Sequence, residues 1–203
     1  MLLLTGAVPI VGVAEGVASC AISGSVSTCV VAAIDAATPG RIPSVRIVPN
    51  RGFGSADEAF DAISDFRSTR TITDAQGGTG TVYITEINGQ RYVGVNSTNF
   101  TDADRALSKK WEAELGIPAG PAGNFQRQTL YHAEANTLMK IYNDTGGQMP
   151  SNVTIYVDRI ACSSCQNNLP NLVDAMGVQN LTIKLPDGRS ALVTKDGFVG
   201  DWQ

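Results

Sequence analysis

Four residues in two short segments carry the chemistry that this sequence can support. His132 and Glu134 are separated by one residue, and after 27 further residues Cys162 and Cys165 form a Cys-x-x-Cys pair. One imidazole nitrogen and two thiolates can hold Zn²⁺ and leave its fourth position to water, as in catalytic zinc sites. The sequence therefore predicts a hydrolytic zinc enzyme, provided that the fold brings the two segments together.

Glu134 is predicted to move protons rather than to bind the metal. It lies two residues from His132, the single histidine of the chain, and cannot easily reach the same ion. Its carboxyl can take a proton from water beside the metal and deliver it to a leaving group. The apolar pattern places His132 and Cys162 at the starts of two helices, where free N–H groups and the helix dipole stabilise thiolates.

Other interpretations of the cysteines are weaker but stay open at this point. A Cys-x-x-Cys pair alone also suits a redox couple, and a structural zinc site needs a fourth ligand that no second histidine supplies. Cys20 and Cys29 could form a disulfide in an oxidising compartment, although we favour simple packing as small apolar residues. Cys162 and Cys165 must be thiolates to bind metal, which favours a reducing compartment.

The elements that must position these residues follow from periodicity and turn signals. Strands are predicted at residues 81–87, 91–95, 153–157, 181–185 and 190–194, and helices begin near Thr101, His132 and Cys162. Asn88-Gly89 predicts a tight hairpin turn. The resulting order, β-β-α-α-β-α-β-β, is typical of a sheet covered by helices.

The first 40 residues differ from the rest of the chain. They contain no Lys or Arg before Arg41 and form two apolar stretches, 2–14 and 17–34. The favoured interpretation is a packed helical hairpin, and membrane contact of residues 1–40 is the second. A third is that this sequence begins inside a longer protein. A helix capped by Ser55 follows, and the glycines of 73–80 mark a boundary. The predicted domains are 1–40, a helical linker 41–80 and a catalytic domain 81–203.

The charge of the chain limits the size of any nucleic-acid surface. The formal net charge is −4, and residues 81–203 hold 10 Lys/Arg against 12 Asp/Glu. Affinity for long nucleic acid usually comes from phosphate neutralisation by a basic face. A large surface of that kind is disfavoured, whereas a pocket that grips one base and a few phosphates is not.

The motifs resemble a known family. Residues 131–188 are similar to the deaminase domains of bacterial polymorphic toxins in the cytidine-deaminase-like superfamily, whose zinc signature is H-x-E…P-C-x-x-C. The similarity extends from about residue 81 to the C-terminus, and residues 1–39 resemble segments that precede toxin domains. The resemblance implies an α/β three-layer sandwich with a five-stranded mixed sheet, helices on both faces and an antiparallel final hairpin.

The same resemblance assigns roles to five residues. His132, Cys162 and Cys165 would bind zinc, and Glu134 would be the general acid/base. Asn96 matches the position of a substrate-contacting asparagine, although a turn residue is an equal interpretation. The implied reaction is conversion of cytosine to uracil, although the resemblance covers DNA, RNA, free nucleosides and adenine alike. Among these substrates we expect DNA of a target cell, because a mutated genome is lasting damage. A non-catalytic zinc module is the alternative to an enzyme. A cognate immunity protein and secretion into the target-cell cytoplasm are further expectations.

The sequence departs from the family pattern at one position, and four other residues are weaker candidates for the site. Ala161 stands where the family often has proline, a residue that shapes the turn and supplies no ligand. Lys109, Lys110 and Trp111 could touch a phosphate and a base, but the solvated face of a helix is the more usual interpretation. Arg127 precedes the His132 helix and is a candidate for a phosphate contact.

Overall fold

The computed structural model describes residues 52–118 and 126–200 in full, together with the backbone of residues 16–23, 26–33 and 125. The chain divides into two compact units, Met1–Val48 and Pro49–Gln203, each of which is described by itself. Within the described residues, no helix is both long and apolar enough to cross a membrane.

The first unit contains a β-hairpin where a helix was expected. Strands β1 (Gly16–Ser23) and β2 (Val26–Ala33) pair antiparallel. The helical prediction for residues 17–34 is therefore wrong, because Val, Ile and Thr lose side-chain freedom in a helix and favour strands. The register sets Cys20 opposite Cys29, and nothing tests the favoured packing of these cysteines as small apolar residues against the alternative of a disulfide. The other apolar stretch, 2–14, lies outside the described residues.

A six-stranded mixed sheet forms the second unit. Its strands are β3 (Val82–Ile87), β4 (Gln90–Val95), β5 (Asn152–Val157), β6 (Asn180–Lys184), β7 (Ser190–Thr194) and β8 (Gly197–Gly200). They lie in the order β4-β3-β5-β6-β7-β8. β5 and β6 are parallel, whereas every other neighbouring pair is antiparallel.

The predicted mixed α/β class is confirmed, but the predicted strand number is wrong. The sheet has six strands rather than five, because β8 pairs antiparallel with β7 at the end of the described chain. This strand has four residues, and both of its ends are glycine. Glycine is depleted in strands and carries no side chain to reveal an alternating pattern, so the segment gave no strand signal.

Helices cover both faces of the sheet. They are α1 (Ala56–Thr69), α2 (Asp102–Glu114), α3 (Phe125–Thr129), α4 (Ala133–Asp144) and α5 (Ser163–Ala175). α1 packs on β3 and β5 over one face, where Ile84 and Tyr156 point. α4 packs on β3 and β4, and α5 on β7 and β8, over the face that holds Tyr83 and Ile155. α2 lies against α4.

Local signals in the sequence explain where these elements begin and end. Thr101 and Asp104 form a capping box at the start of α2, and Ser55 accepts a hydrogen bond from the N–H of Glu58 at the start of α1. Asn88 and Gly89 both have positive φ in the turn between β3 and β4, as a two-residue hairpin of this type requires. These predicted caps and the predicted turn are confirmed.

α1 is part of the packing of the second unit. Ala59, Ala62 and Ile63 are buried against the sheet face that also holds Ile84. The residues of α1 contribute to the same core as the sheet. The predicted division into domains at residues 1–40, 41–80 and 81–203 stays a prediction.

Candidate metal centre

The three candidate metal ligands lie at the starts of two helices. His132 is the N-cap residue of α4 and Cys162 is the N-cap residue of α5, and both have extended backbone angles. Neither side chain forms a capping hydrogen bond, so both point away from their own helix starts and are available to a ligand. The strand β5 and the short connection after it bring the α5 start beside the α4 start.

The ligand atoms converge on one point. His132 Nδ1 lies 3.2 Å from Cys165 Sγ and 3.3 Å from Cys162 Sγ, and all three ligand atoms lie within 4.8 Å of one another. A tetrahedral Zn²⁺, with Zn–N of about 2.0 Å and Zn–S of about 2.3 Å, separates nitrogen and sulfur by about 3.5 Å. The donor set and its spacing therefore fit zinc.

Hydrogen bonding within the cluster favours a thiolate on the outer cysteine. The Cys165 thiol donates to the sulfur of Cys162, and with His132 this lowers the pKa of Cys162 to about 4, against the opposing effect of burial. The same hydrogen bond, together with burial, raises the pKa of Cys165. Burial opposes the charged form of His132, but the bond to Cys162 and nearby negative charge raise its pKa overall. Of the two cysteines, Cys162 is therefore the one whose surroundings favour the thiolate form.

Glu134 is brought to the same cluster from the first turn of α4. Its side chain is buried, and burial raises the pKa of its carboxyl. The carboxyl hydrogen-bonds Cys165 and interacts with the charges of His132 and Cys162. The structure therefore brings together all four residues that the sequence singled out, with a carboxyl that holds its proton more strongly than an exposed glutamate.

Asn96 lies at the edge of an open cleft that reaches the cluster. The cleft has a volume of about 610 Å³, and its lining includes Asp74, Asn96, Ser97, Arg127, Tyr131 and His132. Asn96 follows β4 directly and precedes a 3₁₀ turn, Ser97–Asn99, which its side chain does not cap. Ligand pockets in proteins have volumes of about 300–1,000 Å³. Asn96 is therefore placed to contact a molecule that reaches His132, although its predicted role stays a prediction.

Close packing fixes β4 on the helix that carries His132. A Cβ atom added to Gly94 would lie 2.1 Å from the carbonyl oxygen of Ala133 and 2.1 Å from Thr137 Oγ1. The Ser97 N–H also donates to the Tyr131 carbonyl at 2.9 Å. The strand end that holds Asn96 is thus locked against the residues on either side of His132.

Of the weaker candidates from the sequence, one lies in the core and the others lie at the surface or in the cleft. Trp111 is buried in the core and makes an edge contact with Tyr142, 5.0 Å between ring centroids, so it is not available to stack on a base. Lys109 and Lys110 are exposed. Arg127 lines the cleft and pairs with Glu112 at 2.8 Å.

Three features of the site were not apparent in the sequence. Tyr131 stacks on Phe100 beside the cleft, with ring centroids 6.1 Å apart. Asp104 and Asn136 form a buried hydrogen bond of 2.9 Å between α2 and α4. Tyr83 places a buried hydroxyl near Glu134. Each feature joins segments that are distant in sequence, so only the strand register and helix packing reveal it.

These observations agree with comparisons to known proteins. A family model described as MafB19-like deaminase matches residues 72–200 of the chain. The chain belongs to the MafB19-like deaminase family. It is therefore a hydrolytic deaminase of the cytidine-deaminase-like type, and its cluster of one histidine and two cysteines is consistent with the zinc site of such an enzyme. Comparison with the curated proteins and with the solved structures finds no match.

Proposed function

We propose that this MafB19-like deaminase converts cytosine to uracil in DNA and acts as a toxin in a target cell. The observation that carries the proposal is the convergence of His132, Cys162, Cys165 and Glu134 in one cluster, of which His132 lines an open cleft. The overall reaction consumes one water and releases one ammonia for each cytosine converted.

The residues of the chain divide the work of this reaction. His132, Cys162 and Cys165 would hold the zinc ion, which when bound supplies an activated water at neutral pH. The Glu134 carboxylate accepts the proton of the attacking water and passes it to the base, so that ammonia can leave. Its raised pKa suits this exchange, because burial favours the protonated form. Asn96 would bind the base from the cleft edge.

The surface near the cleft supports a short nucleic-acid contact. Arg127 and Asp74 bring charges of opposite sign to the lining, and Tyr131 offers an aromatic ring next to His132. The net charge of −4 argues against a long basic track. These features suit one base turned out of the strand, at a cost of a few kcal/mol.

The preference for DNA and the toxin role rest on a biological argument. A toxin that deaminates genomic DNA leaves mutations and so causes lasting damage, whereas an enzyme that deaminates free nucleosides does not mutate the genome. The proposed setting is a secreted effector delivered into the cytoplasm of a target cell. A producer of such a toxin needs an immunity protein, for which the rim of the cleft is the proposed docking surface. Co-purification of Glu134→Gln protein with the product of a small neighbouring gene tests that partner.

Deamination itself is tested with a substrate panel. The zinc-loaded protein is incubated with single-stranded DNA, duplex DNA, RNA and free cytidine. Matching substrates in which adenine replaces cytosine are tested in parallel. Products are identified by mass spectrometry, and ammonia release is measured. We expect uracil in DNA from the wild type and from Glu114→Gln, an exposed control on α2. Glu134→Gln should bind zinc and release no ammonia. Equal ammonia release by Glu134→Gln rejects the mechanism, and product from RNA or free cytidine alone rejects the DNA assignment.

A further inference from the structure

Tyr83 lies on the sheet face beneath the first turn of α4. Its side chain is completely buried. In the register of the sheet, Tyr83 pairs with Gly94 of β4 and with Val157 of β5. Paired residues on neighbouring strands share one face, and the Gly94 face is the one that packs on Ala133 and Thr137. Strand register alone therefore places the Tyr83 ring under the residues that flank Glu134.

In the part of the chain that the structure describes, the hydroxyl of Tyr83 has no partner at full hydrogen-bond geometry, but Glu134 acts on it as a hydrogen-bonding neighbour. The Tyr83 hydroxyl is the one buried side-chain nitrogen or oxygen in those residues without a partner at that geometry. A buried hydroxyl without a partner is destabilising, and phenylalanine would fill the same space without that cost. We therefore expect the Tyr83 hydroxyl to donate to a hydrogen-bond acceptor in the active enzyme.

Glu134 is the acceptor that best fits this hydroxyl. Glu134 acts on Tyr83 both through its charge and as a hydrogen-bonding side chain, whereas Cys165 and Cys162 act through charge alone. A carboxylate offers two acceptor oxygens, whereas sulfur is a weak acceptor. Burial and these negative charges raise the pKa of Tyr83 well above its usual value, so the hydroxyl keeps its proton and can act as a donor throughout the working pH range.

We propose that Tyr83 is a positioning residue that donates a hydrogen bond to the Glu134 carboxylate. The bond engages one carboxylate oxygen and orients the other toward the cleft, where it accepts and delivers the proton of the reaction. Tyr83 itself touches neither substrate nor metal. This inference rests on the proposed role of Glu134 in deamination.

The kinetic test compares two tyrosine variants of the zinc-loaded protein. Tyr83→Phe removes the hydroxyl and keeps the ring. Tyr92→Phe is the control, because Tyr92 is also buried in the same core but interacts with Asp144 at the opposite end of α4. We expect kcat of Tyr83→Phe to fall about 10-fold or more, with KM and zinc content unchanged. Tyr92→Phe should retain wild-type kcat. An unchanged kcat in Tyr83→Phe overturns the inference.

A spectroscopic test separates this inference from the proposed function. The hydroxyl proton of Tyr83 is followed by NMR in tyrosine-labelled protein and is assigned by its loss in Tyr83→Phe. A hydrogen bond to carboxylate shifts this resonance downfield, and Glu134→Gln should move it upfield while Glu114→Gln leaves it in place. A resonance that does not respond to Glu134→Gln overturns the inference. A wild-type protein that deaminates nothing overturns the proposed function, and the shift still decides whether Tyr83 positions Glu134.

Discussion

At the scale of single residues, the site depends on where three donor atoms are held. His132 Nδ1 lies 3.2 Å and 3.3 Å from the two cysteine sulfurs. Cys165 is completely buried whereas Cys162 is exposed. Removing any one donor leaves two protein ligands, and catalytic zinc sites normally use three. The affinity for zinc should therefore be much more sensitive to these residues than to their neighbours.

The zinc content of ligand variants tests this dependence. We expect Cys162→Ser and Cys165→Ser to lose most of their zinc after dialysis against a mild chelator, since serine is a poor zinc ligand. Ser163→Ala, an exposed change inside the Cys-x-x-Cys segment, is the matched control and should keep one zinc per chain. The measurement is metal analysis by mass spectrometry. Retention of stoichiometric zinc in both cysteine variants would contradict the assignment of the ligands.

At the scale of elements, two packed contacts hold β4 and α2 against α4. The first is the close approach at Gly94, where the strand meets the first turn of the helix. The second is a buried polar network. Asp104 accepts hydrogen bonds from Asn136 and Lys140, both at 2.9 Å, and the Asn136 side chain accepts one from the Val95 N–H at 3.3 Å. Both contacts set the position of the strand end that precedes Asn96.

Substitution of Gly94 should be strongly destabilising. The added methyl of Gly94→Ala would lie 2.1 Å from backbone and side-chain atoms of α4, and forced overpacking costs about 1–3 kcal/mol or more. Gly52→Ala is the control, because its new Cβ would lie 3.5 Å from the nearest atom. Urea unfolding measures both. Equal stability of the two variants would show that β4 and α4 are not this closely packed.

The Asp104 network should make stability depend on acid pH. Burial raises the pKa of Asp104, but hydrogen bonds from Asn136, Thr101 and Lys140 outweigh it and lower the pKa to about 2. The folded pKa lies below the unfolded value of about 3.9. The contribution, about 2 kcal/mol, is therefore fully present above pH 4 and is lost as pH falls toward 2.

Urea unfolding at pH 7 and at pH 2.5 tests this dependence. We expect Asp104→Asn to be less stable than the wild type at pH 7 and to lose less stability on acidification. Asp102→Asn, an exposed change on the same helix, is the control and should follow the wild type. Wild-type and Asp104→Asn curves that fall in parallel with pH would refute the assigned network.

At this scale, structural features that depend on adjacent residues could be predicted from the sequence, whereas contacts between distant segments could not. The helix start predicted at Thr101 and the turn predicted at Asn88-Gly89 each depend on adjacent residues, and both are confirmed. The helix predicted for residues 17–34, one of the two helices of the expected hairpin, is wrong, because an apolar run without clear periodicity suits a strand or a helix. The pairing of Tyr83 with Gly94 depends on strand register, and the sequence alone carries no signal for it.

At the scale of the whole molecule, one ion pair ties the outer helix layer to the sheet. Arg67 of α1 pairs with Asp158, which follows β5, and its guanidinium also donates to the Gly80 carbonyl at 2.5 Å. Asp158 in turn accepts from the Val82 N–H at 3.3 Å, at the start of β3. Both charged side chains are about four-fifths buried. The connection between β5 and Cys162 therefore begins at a residue held by α1.

Removal of this ion pair should weaken the whole second unit. We expect Arg67→Ala to reduce the free energy of unfolding by about 1–3 kcal/mol, because it leaves the partly buried Asp158 carboxylate with fewer donors. Arg105→Ala, an exposed arginine on α2, is the control and should change stability by about 0.5 kcal/mol or less. Thermal unfolding measures the difference. A shift no larger than that of Arg105→Ala would show that the Arg67–Asp158 ion pair does not contribute to the stability of the second unit.

The strand order also implies a sequence of events during folding. β3 pairs with β4 across a two-residue turn, and β6, β7 and β8 form a second set of local pairings, whereas β5 joins the two sets through distant partners. Non-local pairing is slow because the chain must first close long loops. We expect pulsed hydrogen exchange of the metal-free protein to protect β5 amides last. The polypeptide on either side of β5 supplies His132 and Cys162, so deaminase competence should arise in the final kinetic phase. Early protection of β5 would reverse this order.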